Sequence, residues 1–224
     1  LLAMALTGCA NLEKSTETSL PLESEVAAAS SSAPSTAPAP VVVRQATKPP
    51  TKLDPNNEPP ADIWVRIRQG FAMPDLETDL VKDREEWYAA RPDYILRMTE
   101  RSRKYMFHIV EELERRNMPT ELALLPFIES AFNPEAVSSA KAAGMWQFMP
   151  ATGKYFDLKQ NIFRDERRGV IESTRAALDY LQKLYGMFGD WHLALAAYNW
   201  GEGSVGRALA KNKAAGLGLS LIHI

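Results

Sequence analysis

The stretch 172–200, ESTRAALDYLQKLYGMFGDWHLALAAYNW, decides the fold class. In its first part apolar residues recur every three or four positions, a spacing that places them on one face of an α-helix over 172–188. The residues of this face are Ala177, Leu178, Leu181, Leu184, Tyr185 and Phe188. Gly189 then ends the helix, and Asp190 is placed to cap a second helix that runs to residue 200. Two adjacent helices with apolar faces predict a helical core.

The same helical pattern extends outward in both directions. Further helices are predicted over 63–71, 76–87, 92–117, 121–132, 145–156 and 205–213. Pro92 suits a first helical turn, whereas Pro126 must kink or restart the helix that contains it. Thr120 and Ser204 are the predicted caps of the helices that follow them. Because no run of alternating strand residues interrupts these segments, the predicted fold class is all-α.

Composition excludes several classes of protein. The 224 residues are 46% hydrophobic and 24% charged, as in ordinary globular proteins. A formal net charge of −2 gives no basic field for nucleic acid. No apolar run reaches the ~20 residues that span a bilayer. The single cysteine excludes an internal disulfide framework and a cysteine-rich zinc site, and the three histidines are widely spaced, so no metal site is expected.

The two ends of the chain differ from its middle. An apolar run leads into LTGC at 6–9, which resembles a bacterial lipobox. Residues 1–9 are therefore predicted to be the end of a lipoprotein signal with Cys9 lipidated; the alternative is a chance cysteine in an apolar terminus. Residues 10–60 are rich in Ser, Ala, Thr and Pro and predict a disordered tether. Residues 216–224 break the helical pattern and predict a non-native tail on a chain truncated at both ends.

A carboxylate stands on an apolar helix face in the segment LALLPFIESAF. Leu122, Leu125 and Phe132 share this predicted face with Glu129. Because an ionised carboxylate is costly to bury, this setting should raise the pKa of Glu129, which suits a general acid near neutral pH. The residues alone leave open a second interpretation, in which Glu129 lies at a helix end and reaches solvent.

Two further segments combine polar and aromatic side chains. Segment 138–153, SSAKAAGMWQFMPATG, sets Gln147 between two aromatic residues in a run of small ones, which allow close approach of a ligand. Segment 191–203 places Tyr198 and Asn199 at a helix end, and polar groups beside an apolar cleft are typical of a ligand site. A packed turn with core aromatics, and a buried tyrosine with an asparagine cap, are the alternatives that the residues leave open.

Together these segments carry three motifs that resemble, in order and spacing, the signature motifs of the lysozyme-like lytic transglycosylases. The motifs are Glu129-Ser130, Gly144-Met145-Trp146-Gln147 and Ala197-Tyr198-Asn199. The resemblance is nearest to the D-type subgroup, since the family often has Leu-Met in place of Met145-Trp146. It implies a lysozyme-like helical catalytic domain over 104–215, preceded by a helical extension over 61–103, and LysM modules beyond the end of this sequence.

The resemblance also implies a function. The family cleaves the β-1,4 bond between N-acetylmuramic acid and N-acetylglucosamine in peptidoglycan without water, and leaves 1,6-anhydromuramoyl ends. Glu129 would be the single catalytic acid and base, and no cofactor is implied. The implied substrate-binding residues are Ser130, Met145, Gln147, Tyr198 and Asn199. We expect a monomer with no nucleic-acid partner, anchored in the periplasm to the cell envelope, at the outer membrane, through Cys9.

Three other functions compete with this interpretation. A hydrolytic muramidase would leave reducing ends and would need a second carboxylate, for which Glu135 is the candidate. A non-catalytic peptidoglycan-binding lipoprotein would bind sugar without turnover, and the intact Glu129 argues against it. A purely structural lipoprotein would leave the joint occurrence of the three motifs unexplained.

Overall fold

The computed structural model describes residues 62–76 and 78–216, and in this part of the chain the fold is helical. The elements are α1 (Ile63–Gln69), α2 (Asp79–Ala89), α3 (Pro92–Ser102), α4 (Met106–Arg115), a 3₁₀ helix (Thr120–Leu124), α5 (Leu125–Ser130), α6 (Pro150–Tyr155), α7 (Val170–Phe188), α8 (Trp191–Trp200) and α9 (Glu202–Ala214). Only isolated β-bridges accompany them there, so the all-α prediction is confirmed. The predicted signal, the tether and residues 217–224 lie outside the described residues.

The pair α7 and α8 follows the sequence prediction closely. Gly189 adopts a left-handed conformation, with φ of 67°, and its N–H bonds to the carbonyl of Tyr185. Such a residue ends a helix at no steric cost when it is glycine. The Asp190 side chain then accepts a hydrogen bond from the backbone N–H of Leu193 at 2.8 Å, which caps α8. Helix α8 therefore lies against α7 as the apolar faces predicted.

The main core lies where α4, α7 and the chain between α5 and α6 meet. Met106, Ile109, Val110 and Leu113 point inward because they recur on one face of α4, and all are buried. Trp146 is 0% exposed, and its indole N–H donates to the Thr174 hydroxyl at 3.0 Å. This buried aromatic fixes the segment 141–148, which we call the motif loop, on the core.

The N-terminal helix α1 packs into the same core. Ile67 is buried among the core residues, and Arg66 forms two hydrogen bonds with the carboxylate of Glu114 in α4. Thr120 was predicted to cap the following helix, but it does not. Its hydroxyl donates instead to the Ile67 carbonyl at 2.5 Å. The prediction was wrong because this buried hydroxyl serves a tertiary contact with α1 instead of a local one.

The predicted helix over 92–117 is interrupted. Helix α3 ends at Ser102 and α4 begins at Met106. The Ser102 hydroxyl donates to the carbonyl of Thr99 at 2.7 Å, so it competes with the backbone for a helical acceptor. The apolar spacing continues across the break because both helices face the core. The spacing therefore did not reveal the break.

Two other boundaries also differ. The helix expected over 121–132 is a 3₁₀ helix followed by α5, and Pro126 stands in the first turn of α5, so it restarts the helix. Of the helix expected over 145–156, only α6 forms, because the amides of Ala143 and Phe148 pair with each other's carbonyls at 3.0 Å.

The last helix begins earlier than its predicted cap. Gly201, with φ of 91°, ends α8 and starts α9 directly, so Ser204 lies inside α9 and caps nothing. No helix in the described part of the chain combines the length and apolarity needed to cross a membrane.

Candidate active site

Glu129 lies on the last turn of α5, where the chain changes direction. Ala131 and Phe132 follow in left-handed conformations, with φ of 51° and 56°, and Phe132 returns into the core against the Phe127 ring at 4.5 Å. Burial raises the pKa of Glu129 from 4.5 to about 7, and burial is the sole cause of the shift. The predicted direction is confirmed, and the side chain is partly buried rather than turned out to solvent.

Ser130 joins the end of α5 to the motif loop. Its hydroxyl donates to the Met145 carbonyl at 2.9 Å and accepts a hydrogen bond from the Asn133 N–H at 3.1 Å. The Met145 side chain is buried in the core and presents no surface to a ligand. The contact between Ser130 and Met145 therefore fixes how the Glu129 turn sits against the loop.

The motif loop itself is tightly turned. Gly144 and Gln147 both have positive φ values, 85° and 50°. The Gln147 side-chain amide donates to the Gly144 carbonyl at 2.8 Å, and the Gly144 N–H donates to the Ala136 carbonyl at 2.9 Å. Gln147, a non-glycine residue in a left-handed conformation, is held there by its own side chain.

Tyr198 on α8 bonds to this loop and interacts with the charge of Glu129. Its hydroxyl donates to the Trp146 carbonyl at 2.8 Å. Burial, and then the nearby negative charge of Glu129, raise the pKa of Tyr198 well above its ordinary value. Tyr198 is therefore a neutral hydrogen-bond donor, and its pKa depends in part on the charge of Glu129.

A pocket of about 270 Å³ opens beside these residues. Its lining consists of Gln147, Phe148, Met149, Thr152, Tyr180, Tyr198, Asn199, Trp200 and Gly201, none of which is charged. Three of the predicted site residues, Gln147, Tyr198 and Asn199, meet here. Glu129 and Ser130 are not among the lining residues. Ser130 bonds to the motif loop, and the charge of Glu129 acts on the lining residue Tyr198.

Sequence reasoning missed part of this lining. Met149 and Thr152 belong to a segment that we had singled out, and Trp200 directly follows Asn199, so proximity to the motifs was an available signal. Tyr180 gave no signal, because it lies outside the apolar face predicted for α7. It comes to the pocket through the packing of α8, where its ring lies 5.3 Å from that of Tyr198. Trp146 proved to be a core residue, one of the two interpretations that the sequence left open.

The other acidic residues that we considered have ordinary roles. The Glu135 side chain is 71% exposed and pairs with Arg168 at 3.1 Å. Asp190 caps α8, as predicted. Among the described residues, no group of three or more His, Cys, Asp or Glu side chains is arranged to hold a metal ion.

The Tyr198 hydroxyl contact leads to a testable prediction. Tyr198→Phe should lower the free energy of unfolding by about 1–2 kcal/mol, because the buried Trp146 carbonyl loses its donor. Urea denaturation measures this loss. Tyr185→Phe is the matched control, since the Tyr185 ring stacks on Trp191 at 4.2 Å and its hydroxyl bonds to none of the described residues. Equal stability of the two variants would contradict the assigned contact.

The raised pKa of Glu129 leads to a prediction about stability and pH. A carboxyl group whose folded pKa of about 7 lies above its unfolded value of 4.5 contributes stability below pH 4.5. This contribution is lost as the pH rises through 7, at a cost of roughly 3 kcal/mol. Glu129→Gln should therefore gain stability relative to the wild type between pH 4.5 and 8. Urea midpoints of both proteins across this range test it, and a pH-independent difference would refute it.

Comparison with known proteins identifies the family of the chain. The family model described as "Transglycosylase SLT domain" matches residues 106–217. The chain is 45% identical over 159 residues to "Membrane-bound lytic murein transglycosylase D" of Escherichia coli (strain K12), which is 70% of this chain and 35% of that relative. The same identity and coverage hold for the protein of that name from E. coli O6:H1.

A third relative extends the comparison. A protein of Alteromonas sp. (strain M-1), named for tributyltin chloride resistance, is 50% identical over 117 residues, which is 51% of this chain and 56% of that protein. The chain spans about a third of the length of the two E. coli relatives. The resemblance drawn from the three motifs is confirmed, and the chain belongs to the transglycosylase SLT domain family.

Proposed function

We propose that this chain is a lytic transglycosylase that cleaves the β-1,4 bond between N-acetylmuramic acid and N-acetylglucosamine in peptidoglycan. The observation that carries the proposal is Glu129, a partly buried carboxyl group whose pKa is raised to about 7, next to an uncharged pocket. A group with this pKa is protonated often enough at neutral pH to serve as an acid, and its conjugate base is strong enough to accept a proton.

The proposed reaction needs only this one carboxyl group. Glu129 gives its proton to the glycosidic oxygen, and the bond from that oxygen to C1 of the muramoyl residue breaks. The acetamido group of the substrate stabilises the positive charge at C1. The Glu129 carboxylate then removes the proton of the C6 hydroxyl, whose oxygen bonds to C1. The product is a 1,6-anhydromuramoyl end, Glu129 is protonated again, and no water is consumed.

The remaining predicted site residues are assigned supporting roles. Gln147, Tyr198 and Asn199 line the pocket and supply neutral donors and acceptors for sugar hydroxyl and acetamido groups. Ser130 and Met145 act through their mutual hydrogen bond, which sets the position of the Glu129 turn. Because its own pKa is raised well above the ordinary value, Tyr198 is neutral and adds no charge near Glu129.

Hydrolysis is the second candidate, and one contact argues against it. A hydrolytic enzyme of the usual type needs a second carboxylate on the other side of the scissile bond. Glu135 was the candidate, but its side chain is largely exposed and is paired with Arg168. A carboxylate that is exposed and paired with a cation is poorly placed to activate a water molecule in the pocket.

The setting of the enzyme is part of the proposal. We propose that it acts as a monomer in the periplasm, held at the outer membrane by lipid on Cys9, with residues 10–60 as the tether, 61–103 as an extension and 104–215 as the catalytic domain. Support comes from the lipobox-like LTGC sequence and from the E. coli relatives, which are named as membrane-bound.

Metabolic labelling of the protein with radioactive palmitate, with Cys9→Ser as the unlabelled control, tests the anchor.

Product analysis tests the function itself. The chain is incubated with purified sacculi, and the released muropeptides are analysed by mass before and after borohydride reduction. The proposal expects products one water lighter than the hydrolytic ones, with muramic ends that borohydride does not reduce. Reducible ends would establish a muramidase, and binding to sacculi without release would establish a binding protein.

A further inference from the structure

Arg167 stands outside the three motifs, yet its guanidinium group holds the motif loop at both ends. One terminal nitrogen, Nη1, donates to the Lys141 carbonyl at 2.8 Å and to the Phe148 carbonyl at 3.1 Å. These two residues are the first and last of the loop that carries Gly144, Met145 and Gln147. The Arg167 side chain is mostly buried, and the Phe148 carbonyl accepts a second hydrogen bond from the Ala143 N–H within the loop.

The rest of the guanidinium group is fixed by Asp165. Nε and Nη2 bond to the two carboxylate oxygens at 2.9 and 2.7 Å, a bidentate pair with defined geometry. This contact holds the pKa of Asp165 below its usual value. Asp165 also accepts from the Arg167 N–H at 3.2 Å. The guanidinium plane is therefore held in the one orientation in which Nη1 donates to both loop carbonyls.

A second contact of Arg167 involves the backbone. A Cβ atom on Gly144 would lie 1.8 Å from the Arg167 carbonyl oxygen, so the middle of the loop lies directly on the Arg167 backbone. From this loop, the Met145 carbonyl accepts from Ser130, next to Glu129, and the Trp146 carbonyl accepts from Tyr198. A continuous series of contacts thus leads from Arg167 through the motif loop to Ser130, the neighbour of Glu129 in sequence, and to Tyr198, on which the charge of Glu129 acts.

We infer that Arg167, oriented by Asp165, is a positioning residue for the reaction: it sets the motif loop so that Ser130 and Tyr198 hold Glu129 partly buried beside the pocket. The inference rests on the proposed function. It predicts that loss of the Arg167 contacts lets water reach Glu129. Since burial is what raises the pKa of that carboxyl, its pKa should fall toward the ordinary value. Tyr198 is the titratable group that interacts with Glu129, and it stays neutral throughout.

The test compares Arg167→Gln with Arg175→Gln. Arg175 is a matched control, because it also donates to an aspartate, Asp179, at 2.8 Å and to a backbone carbonyl, that of Phe156, at 2.7 Å, away from the motif loop. Cleavage of soluble glycan strands is measured as kcat and KM from pH 4 to 9, and thermal unfolding confirms that each protein is folded at the assay temperature.

For Arg167→Gln we expect a loss in kcat of roughly 10- to 100-fold, as small misplacements of catalytic groups produce, with a smaller change in KM. The pH above which activity declines should also move below the wild-type value. Arg175→Gln should match the wild type in both. Arg167→Lys should not restore activity, because an ammonium group cannot bond in the plane of Asp165 and reach both carbonyls.

Three outcomes would overturn the inference. They are a wild-type pH profile in folded Arg167→Gln, equal losses in both variants, or full activity in Arg167→Lys. Should Arg167→Gln not fold, Asp165→Asn removes the orienting partner and is judged by the same pH profile. An inactive wild type would instead refute the proposed function, so the two failures are distinguishable.

Discussion

Glu129→Gln should leave the fold intact and reduce the release of products from sacculi by roughly 100- to 10,000-fold, the contribution typical of a general acid or base. The amide cannot give a proton to the leaving oxygen and cannot take one from the C6 hydroxyl, so both proposed steps fail. None of the described residues forms an ion pair with Glu129, so the substitution breaks no charge contact. Initial rates of release at pH 6, with circular dichroism as a check of folding, measure the effect.

Glu135→Gln is the matched control for this experiment. It removes a carboxylate six positions away in sequence that is exposed and paired with Arg168, and we expect wild-type rates from it. If folded Glu129→Gln retained the wild-type rate, the assignment of the acid would be wrong. If Glu135→Gln also lost activity, two carboxylates would be needed, as in most hydrolytic glycosidases.

The second large effect is expected from Gly144→Ala, which should destabilise the protein by roughly 3–5 kcal/mol and remove activity with it. Gly144 has a φ of 85°, which disfavours any side chain, and the new methyl group would lie 1.8 Å from the Arg167 carbonyl oxygen. The obstacle is backbone that is itself held by Asp165, so the clash cannot be relieved by a change of rotamer. Urea denaturation measures the loss.

Gly186→Ala provides the contrast. This glycine lies within α7, and a Cβ atom there would meet nothing within 4 Å. Alanine in place of glycine inside a helix usually adds about 0.5–1 kcal/mol, so a slightly more stable protein with wild-type activity is expected. Equal effects at Gly144 and Gly186 would contradict the close approach of the motif loop to Arg167.

Much of the fold was predictable because local signals and packing agree. Gly189 and Asp190 define the junction of α7 and α8 through chemistry confined to neighbouring residues, and the structure has both features where the sequence placed them. Thr120 shows the opposite case. Its hydroxyl could have capped the next helix, but it donates instead to a carbonyl 53 residues earlier in the chain. The interruption after Ser102 was missed for a similar reason, since the apolar spacing is the same on both sides.

The candidate site divides in the same way. The raised pKa of Glu129 followed from a carboxylate on an apolar face, which the sequence displays directly. The support of the motif loop by Arg167 could not be predicted from the sequence. It depends on how the segment that contains Arg167 packs against the loop. Tyr180 enters the pocket for the same reason. The residue proposed as the acid was thus easier to predict from the sequence than the residue proposed to hold it in place.

Digestion of sacculi in water labelled with heavy oxygen distinguishes cleavage by a single carboxyl group without water from hydrolysis. Because the C6 hydroxyl of the substrate closes on C1, the muropeptides released by the wild type should carry no label and should have anhydro ends, and Glu129→Gln should release almost none. One labelled oxygen in each new muramic end would show that water attacks C1, and would contradict the proposed reaction.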